Sequence, residues 1–239
     1  MSRWLVVVMV LLNLAFPRFG GAQNLSPVQI AISNAVHANA DPKFKVNPAE
    51  FDPNRTDLVR AQWLTGTGCP TGATAVDFFG NVSDVTDSAC PTGDDKDKKN
   101  EGLLLVKTGP TTNFASATAG LKGVKGIVLT ELGYDIRSGG HCGSGAPRFN
   151  VVTTGGVNHF VGCASPPPAV MSASPSWKRL RWGPAQLVAA FPPILPTDVV
   201  ESIEIIFDEG TDTGPDFSGL AVLDNIDVNG TLVGKGPGN

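Results

Sequence analysis

Short runs of alternating apolar and polar residues fill the chain from about Asp57 onward, and glycine or proline separates one run from the next. A period of two places successive side chains on opposite faces of a strand, so each run predicts a strand with one buried face. The 28 Gly and 19 Pro work against long helices, and no strand–helix–strand alternation is visible. The sequence therefore predicts an all-β, jelly-roll-like antiparallel sandwich. The nine predicted strands are Leu58–Leu64, Thr74–Phe79, Gly102–Lys107, Val124–Arg137, Arg148–Thr153, Asn158–Cys163, Trp177–Trp182, Val200–Phe207 and Leu220–Val228.

Residues 1–22 have the pattern of a signal peptide. Arg3 precedes an apolar run from Trp4 to Phe16, and the small residues that a signal peptidase needs follow it, which predicts cleavage before Gln23. The run is shorter than the roughly 20 residues that span a bilayer, and this disfavours a retained membrane anchor. We therefore expect a secreted or periplasmic protein.

Three segments follow the predicted cleavage site. A loosely structured leader is expected over 23–56, a β-sandwich domain over 57–232, and a flexible tail over 233–239. Loss of Arg3 and Arg18 leaves 16 basic residues against 22 acidic ones, a net charge of −6. Nucleic-acid binders carry a basic stripe, and only the short stretch Lys178–Arg181 resembles one, so we expect no nucleic-acid partner. No second hydrophobic stretch approaches the length that spans a bilayer, so we also expect no membrane partner.

The four cysteines indicate two disulfide bonds, because their number is even in a chain predicted to be exported. Four cysteines allow three pairings. The two local pairs, Cys69–Cys90 and Cys142–Cys163, are favoured, and Cys-Pro-Thr-Gly occurs at both ends of the first. The alternative, a zinc site, normally contains a Cys-x-x-Cys pair, and none occurs here.

An acidic loop near the C-terminus offers oxygen ligands of the kind that Ca²⁺ prefers. The candidate ligands are Asp208, Glu209, Asp212, Asp216 and Asp224. Strict alternation places Asp224 on the apolar face of the last strand, where a buried carboxylate needs a partner such as a cation. Two alternatives remain: the loop is a solvated acidic turn, and the strand bulges so that Asp224 reaches solvent.

The segment Gly219–Gly230, with the sequence GLAVLDNIDVNG, resembles the closing strand of jelly-roll modules of the galactose-binding-like or carbohydrate-binding type. The resemblance implies a non-catalytic module that binds a glycan or another extracellular polymer. It also implies a structural Ca²⁺ with a ligand near this strand.

One predicted strand offers a contact surface for such a ligand. Trp177, Arg179 and Arg181 alternate with Leu180 and Trp182, so an aromatic ring and two guanidinium groups share one face. Arg137 and Arg148 are further candidates for ligand contact. In the alternative interpretation, Trp177 covers the sheet and the arginines pair with acids such as Glu131, Asp135 or Glu204.

Two other classes of function stay open. His141 lies in a glycine-rich loop, and the Cys142–Cys163 disulfide would bring the strand of His159 alongside, which suggests a secreted hydrolase or lyase. No Gly-x-Ser-x-Gly elbow accompanies these residues. The third possibility is a structural or adhesive surface protein without a small ligand.

Overall fold

The fold was determined from a computed structural model, which describes residues 43–76, 78–111, 115–143, 145–209 and 218–237. The predicted signal peptide (1–22) lies outside these residues and stays a prediction. The described residues form fourteen strands, all paired antiparallel, and one short helix, α1 (Pro184–Val188). The strands are β1 (Lys45–Phe51), β2 (Val59–Leu64), β3 (Thr71–Val76), β4 (Val82–Thr86), β5 (Gly102–Thr108), β6 (Ser116–Lys122), β7 (Leu132–Arg137), β8 (Arg148–Thr153), β9 (Val157–Gly162), β10 (Ala169–Ala173), β11 (Trp177–Trp182), β12 (Val200–Phe207), β13 (Ser218–Val228) and β14 (Thr231–Val233).

Two sheets enclose the hydrophobic core. The five-stranded sheet has the order β1-β6-β12-β8-β9, and the seven-stranded sheet has the order β10-β11-β7-β13-β5-β2 with β14 added to β13. At the centre of the core, the rings of Tyr134, Phe149 and Trp182 meet with centroids 5.1 to 5.9 Å apart. The predicted all-β antiparallel sandwich is confirmed. Among the described residues, no helix has the length and hydropathy needed to cross a membrane.

Both predicted disulfides are confirmed. Cys69 is bonded to Cys90 and Cys142 to Cys163, with Cα–Cα distances of 6.3 and 5.2 Å. The first bond clamps the base of the β3–β4 hairpin, which forms a separate two-stranded sheet. The second joins the loop before β8 to the end of β9.

The structure corrects both boundaries of the predicted domain. β1 lies inside the predicted leader, yet it pairs with β6, and Val46 is buried in the core. Pro48 is tolerated because β1 is an edge strand, where a missing N–H breaks no ladder. The predicted tail is also held in place: the backbone N–H of Gly236 donates to the Glu101 carboxylate at 2.8 Å.

A β-bulge corrects the predicted faces of β13. Asn225 has a φ of 45°, and the pairing between β13 and β7 shifts between Asp224 and Asp227. A bulge reverses which face the following residues occupy. Leu223 and Ile226 therefore both enter the core, and Asp224 lies on the outer face without reaching solvent, being only 1% exposed.

Candidate functional site

The sandwich has two outer faces, and they differ in what lies above them. The outer face of the seven-stranded sheet, here called the covered face, carries Trp177, Arg179 and Arg181 from β11. The segment that contains the Cys69–Cys90 disulfide packs over it, and Trp177 is buried against that disulfide. The prediction that these three side chains share a face is correct. The prediction that they form an exposed ligand contact is corrected, because all three are buried.

Buried carboxylates neutralise the two arginines of the covered face. Arg179 donates to both oxygens of Asp135 at 2.8 Å, and its guanidinium also donates to the carbonyl and hydroxyl of Thr92. Arg181 lies 3.5 Å from Asp135 and 2.8 Å from Asp227. This network attaches the overlying segment to the sheet, so the alternative interpretation, arginine pairing with Asp135, is the one the structure supports.

Two further acids under this segment are shifted toward their neutral forms. Burial raises the pKa of Asp224 well above its usual value, although the backbone N–H groups of Asn225 and Cys69 donate to it and oppose the shift. Burial also raises the pKa of Asp227 to about 6, against the opposing charge of Arg181. These groups sit inside the protein and lack the access to solvent that a binding site requires.

The outer face of the five-stranded sheet, here called the open face, is accessible. Cross-strand pairing aligns Gly120, Glu204, Asn150 and Phe160 in one row across β6, β12, β8 and β9. No atom lies within 4 Å of the position where a Cβ of Gly120 would stand, so the end of this row on β6 is open. A depression of about 470 Å³ opens beside the row, and Glu204 is one of the residues that line it.

Two exposed phenylalanine rings form a platform at one edge of the open face. Phe160 and Phe191 exchange backbone hydrogen bonds of 2.8 and 3.3 Å, so Phe191 extends the row beyond β9. Residues paired in this way carry their side chains on the same face. Phe191 is 77% exposed, and the Arg148 guanidinium lies 5.8 Å from the centre of the Phe160 ring.

Polar groups next to this platform are held in fixed positions. Arg148 donates to both carboxylate oxygens of Asp208 at 2.6 and 2.7 Å, to the amide oxygen of Asn150 at 2.9 Å and to the Gly145 carbonyl at 2.8 Å. The side-chain carboxylate of Glu204 has neither a hydrogen-bond nor an ion-pair partner among the described residues. Its half-buried carboxylate is therefore available to a ligand.

Of the two further predicted contact residues, Arg148 lies beside this platform and Arg137 lies elsewhere, and ligand contact by Arg148 stays a prediction. Arg137 is exposed at the end of β7, on the seven-stranded sheet. It is paired in register with Trp177 on the other side of the sandwich from Arg148. The two arginines therefore do not belong to one site.

Two of the predicted calcium ligands, Asp208 and Asp224, lie on opposite sides of the sandwich. Asp208 lies on the open face, where both of its carboxylate oxygens accept from Arg148, while Asp224 lies under the covered face. Packed sheets are about 10 Å apart, so one ion cannot bind both carboxylates. Asp212 and Asp216 lie outside the described residues, and Glu209 lies against Gly145. Calcium binding at the loop itself stays a prediction.

The two histidines of the enzymatic alternative are also apart. His159 is buried, with its ring nitrogens 3.0 Å from the Thr153 hydroxyl and 2.9 Å from the Pro192 carbonyl. His141 packs edge-on against Phe207. Phe207 lies four residues, or roughly 13 Å, along β12 from Ile203. His159 lies two strands to the side of Ile203, because it pairs with Val151 of β8, which pairs with Ile203. The two histidines therefore do not line one cleft.

Three residues of the open face, Phe160, Phe191 and Glu204, were not predicted from the sequence to contact a ligand. A signal for Phe160 was present, because it occupies the polar side of the alternation in β9, between Asn158 and Gly162. An aromatic residue on the wet face of a strand is a candidate for ligand contact. Nothing in the sequence places Phe191 beside it.

Comparison with known proteins gives one low structural similarity. No protein-family model matches the chain, and no curated protein matches it. Among solved structures, the chain is similar to a family 11 carbohydrate-binding module from Clostridium thermocellum, determined in complex with a β-1,3-1,4-mixed-linked tetrasaccharide. The similarity covers 79% of this chain and 90% of that chain, at 16% identity and a TM-score of 0.38. This weak similarity agrees with the resemblance noted in the sequence. It does not show which ligand this protein binds.

Proposed function

We propose that this chain is an exported, non-catalytic module that binds a neutral polysaccharide on the open face. The proposal rests on the aromatic pair Phe160 and Phe191 and on the two polar residues beside it. Arg148 is held in place by Asp208, and the carboxylate of Glu204 is available to a ligand. Sugar rings present apolar C–H faces to aromatic rings, and their hydroxyls both donate and accept hydrogen bonds. The open face supplies a surface for each of these contacts.

The unpaired carboxylate favours a neutral ligand over an acidic one. Glu204 accepts hydrogen bonds from sugar hydroxyls, whereas it repels the carboxylate of a uronic acid. Arg148 does not compensate for this repulsion, because Asp208 already neutralises it in a bidentate pair.

The width of the open face suits a chain of several sugar units. Phe51 is exposed on β1 and Phe160 on β9, at the opposite edges of the five-stranded sheet. The four strand spacings between them amount to roughly 19 Å. The missing side chain at Gly120 leaves room for the ligand to continue past Glu204 onto β6.

Affinity electrophoresis of the mature protein tests the proposal. Gels would contain mixed-linkage β-1,3-1,4-glucan, xylan, xyloglucan or, as an acidic comparison, polygalacturonate. We expect retardation by at least one neutral polysaccharide and none by polygalacturonate. The variant Phe160→Ala/Phe191→Ala should bind at least about tenfold more weakly, equivalent to about 1.4 kcal/mol.

Two further variants control for folding and for location. Val170→Ala/Met171→Ala removes two exposed apolar side chains from β10, which belongs to the other sheet, and should bind like the wild type. Gly120→Leu fills the open end of the row and should abolish binding without lowering the melting temperature. Unchanged binding by Phe160→Ala/Phe191→Ala, or no retardation by any neutral polysaccharide, would refute the proposal.

A further inference from the structure

The β3–β4 hairpin is exposed to an unusual degree. β4 exposes every one of its residues, and no third strand among the described residues pairs with the hairpin. Phe78 is 97% exposed and Phe79 84% exposed, with Val76 and Val82 at 65% beside them. We call these four residues the hairpin patch. A two-stranded ribbon alone is at best marginally stable in water, so a partner is expected to cover it.

The base of the hairpin is fixed to the domain. The Cys69–Cys90 disulfide flanks it directly, and both cysteines are buried against Trp177 and Val222. The Asp87 backbone N–H also donates to the Pro70 carbonyl at 2.8 Å. The hairpin is therefore an anchored projection, and its tip is presented to solvent at a defined position.

The apolar area of the hairpin patch is close to what a small dimer interface requires. A phenylalanine buries about 150–250 Å² when it is covered, so the two nearly fully exposed rings offer roughly 300–500 Å² in each copy. Doubling this value gives roughly 600–1,000 Å², and the two valines of each copy bring the total near the lower end of stable interfaces, about 1,200 Å². Contact between two copies of the hairpin patch therefore approaches that size.

Charge argues against an anionic membrane as the partner of the hairpin patch. No lysine or arginine occurs between residues 71 and 87, whereas Asp77, Asp84 and Asp87 do, so an anionic membrane would repel this segment.

We propose that the hairpin patch packs against the hairpin patch of a second copy of this chain, and that this contact forms a twofold-symmetric dimer. A symmetric contact of this kind uses the same patch on both subunits. The dimer leaves the open face accessible in both copies and does not depend on the proposed polysaccharide.

Sedimentation velocity of the mature protein from about 1 to about 200 µM tests the dimer. We expect a concentration-dependent shift from monomer to dimer for the wild type. The variant Phe78→Ser/Phe79→Ser should raise the dissociation constant at least about tenfold. Val170→Ser/Met171→Ser, which removes two exposed apolar side chains from the edge strand β10, is the matched control and should dimerise like the wild type.

Hydrogen exchange at low and high protein concentration locates the contact. We expect slower exchange in the β3–β4 hairpin at high concentration and no change in β10. A wild type that stays monomeric at the highest concentration would overturn the proposal, as would equal dissociation constants for the wild type and the hairpin variant. Flotation of a monomeric wild type with phosphatidylcholine vesicles would instead identify a neutral bilayer as the occupant and overturn it equally.

Discussion

The substitution Asp135→Asn examines the network that holds the covered face. Asp135 is fully buried, and its Oδ2 accepts both from Arg179 at 2.8 Å and from the Asn225 amide at 2.9 Å. Its Oδ1 accepts from the Arg179 Nε and lies 3.5 Å from Arg181. An asparagine in either orientation would point its NH₂ group at donors on one side and would leave two buried guanidinium groups without the charge of Asp135.

Removal of one partner from a buried ion pair costs about 3–5 kcal/mol, and we expect this magnitude for Asp135→Asn. For a domain of this size each kcal/mol lowers the melting temperature by about 2–4 °C, so the expected decrease is roughly 6–20 °C. Urea unfolding with the disulfides intact measures the free energy, with the fluorescence of buried Trp177 and Trp182 as the signal.

Two matched substitutions separate the network from burial alone. Asp224 is equally buried, but it accepts from two backbone N–H groups and has a raised pKa, so Asp224→Asn should cost much less than Asp135→Asn. Asp84 is exposed on β4, so Asp84→Asn should stay within about 0.5 kcal/mol of the wild type. If Asp135→Asn costs less than about 1 kcal/mol, the network does not hold the covered face as described.

Two further predictions concern the same region. Replacing Cys69 and Cys90 together by alanine opens a loop with a sequence separation of 21 and should lower the free energy of unfolding by about 3 kcal/mol, measured by urea unfolding; a loss near zero would contradict this. Because the folded pKa of Asp227 is about 6 and the unfolded value is 3.8, the native state binds more protons between these values, and the contribution of this group to stability falls as pH rises from about 4 to about 7. Unfolding at pH 5 and pH 7 should therefore show a smaller decrease for Asp227→Asn than for the wild type, and equal decreases would refute the assignment.

The alternation of apolar and polar residues within short segments was enough to predict much of the sandwich. The bounds of β8, β11 and β12 agree with the predicted strands to the residue, because each run alternates β-branched, aromatic or leucine side chains with polar ones. β6 was missed, since Ser116–Lys122 consists mostly of alanine, glycine, serine and threonine, which are weak strand formers except for threonine. It is a strand because β1 and β12 pair with it from both sides.

The sequence by itself determined the class of fold, both disulfides and the face of most strands, because these depend on spacing within short segments. The tertiary structure decided which outer face is accessible. The sequence places Trp177, Arg179 and Arg181 on one face of a strand, but only the folded chain brings the Cys69–Cys90 segment over them and leaves Phe160, Phe191 and Glu204 uncovered. Coverage depends on contacts between residues far apart in the chain, such as Thr92 with Arg179, and a pattern with a period of two carries no information about such contacts.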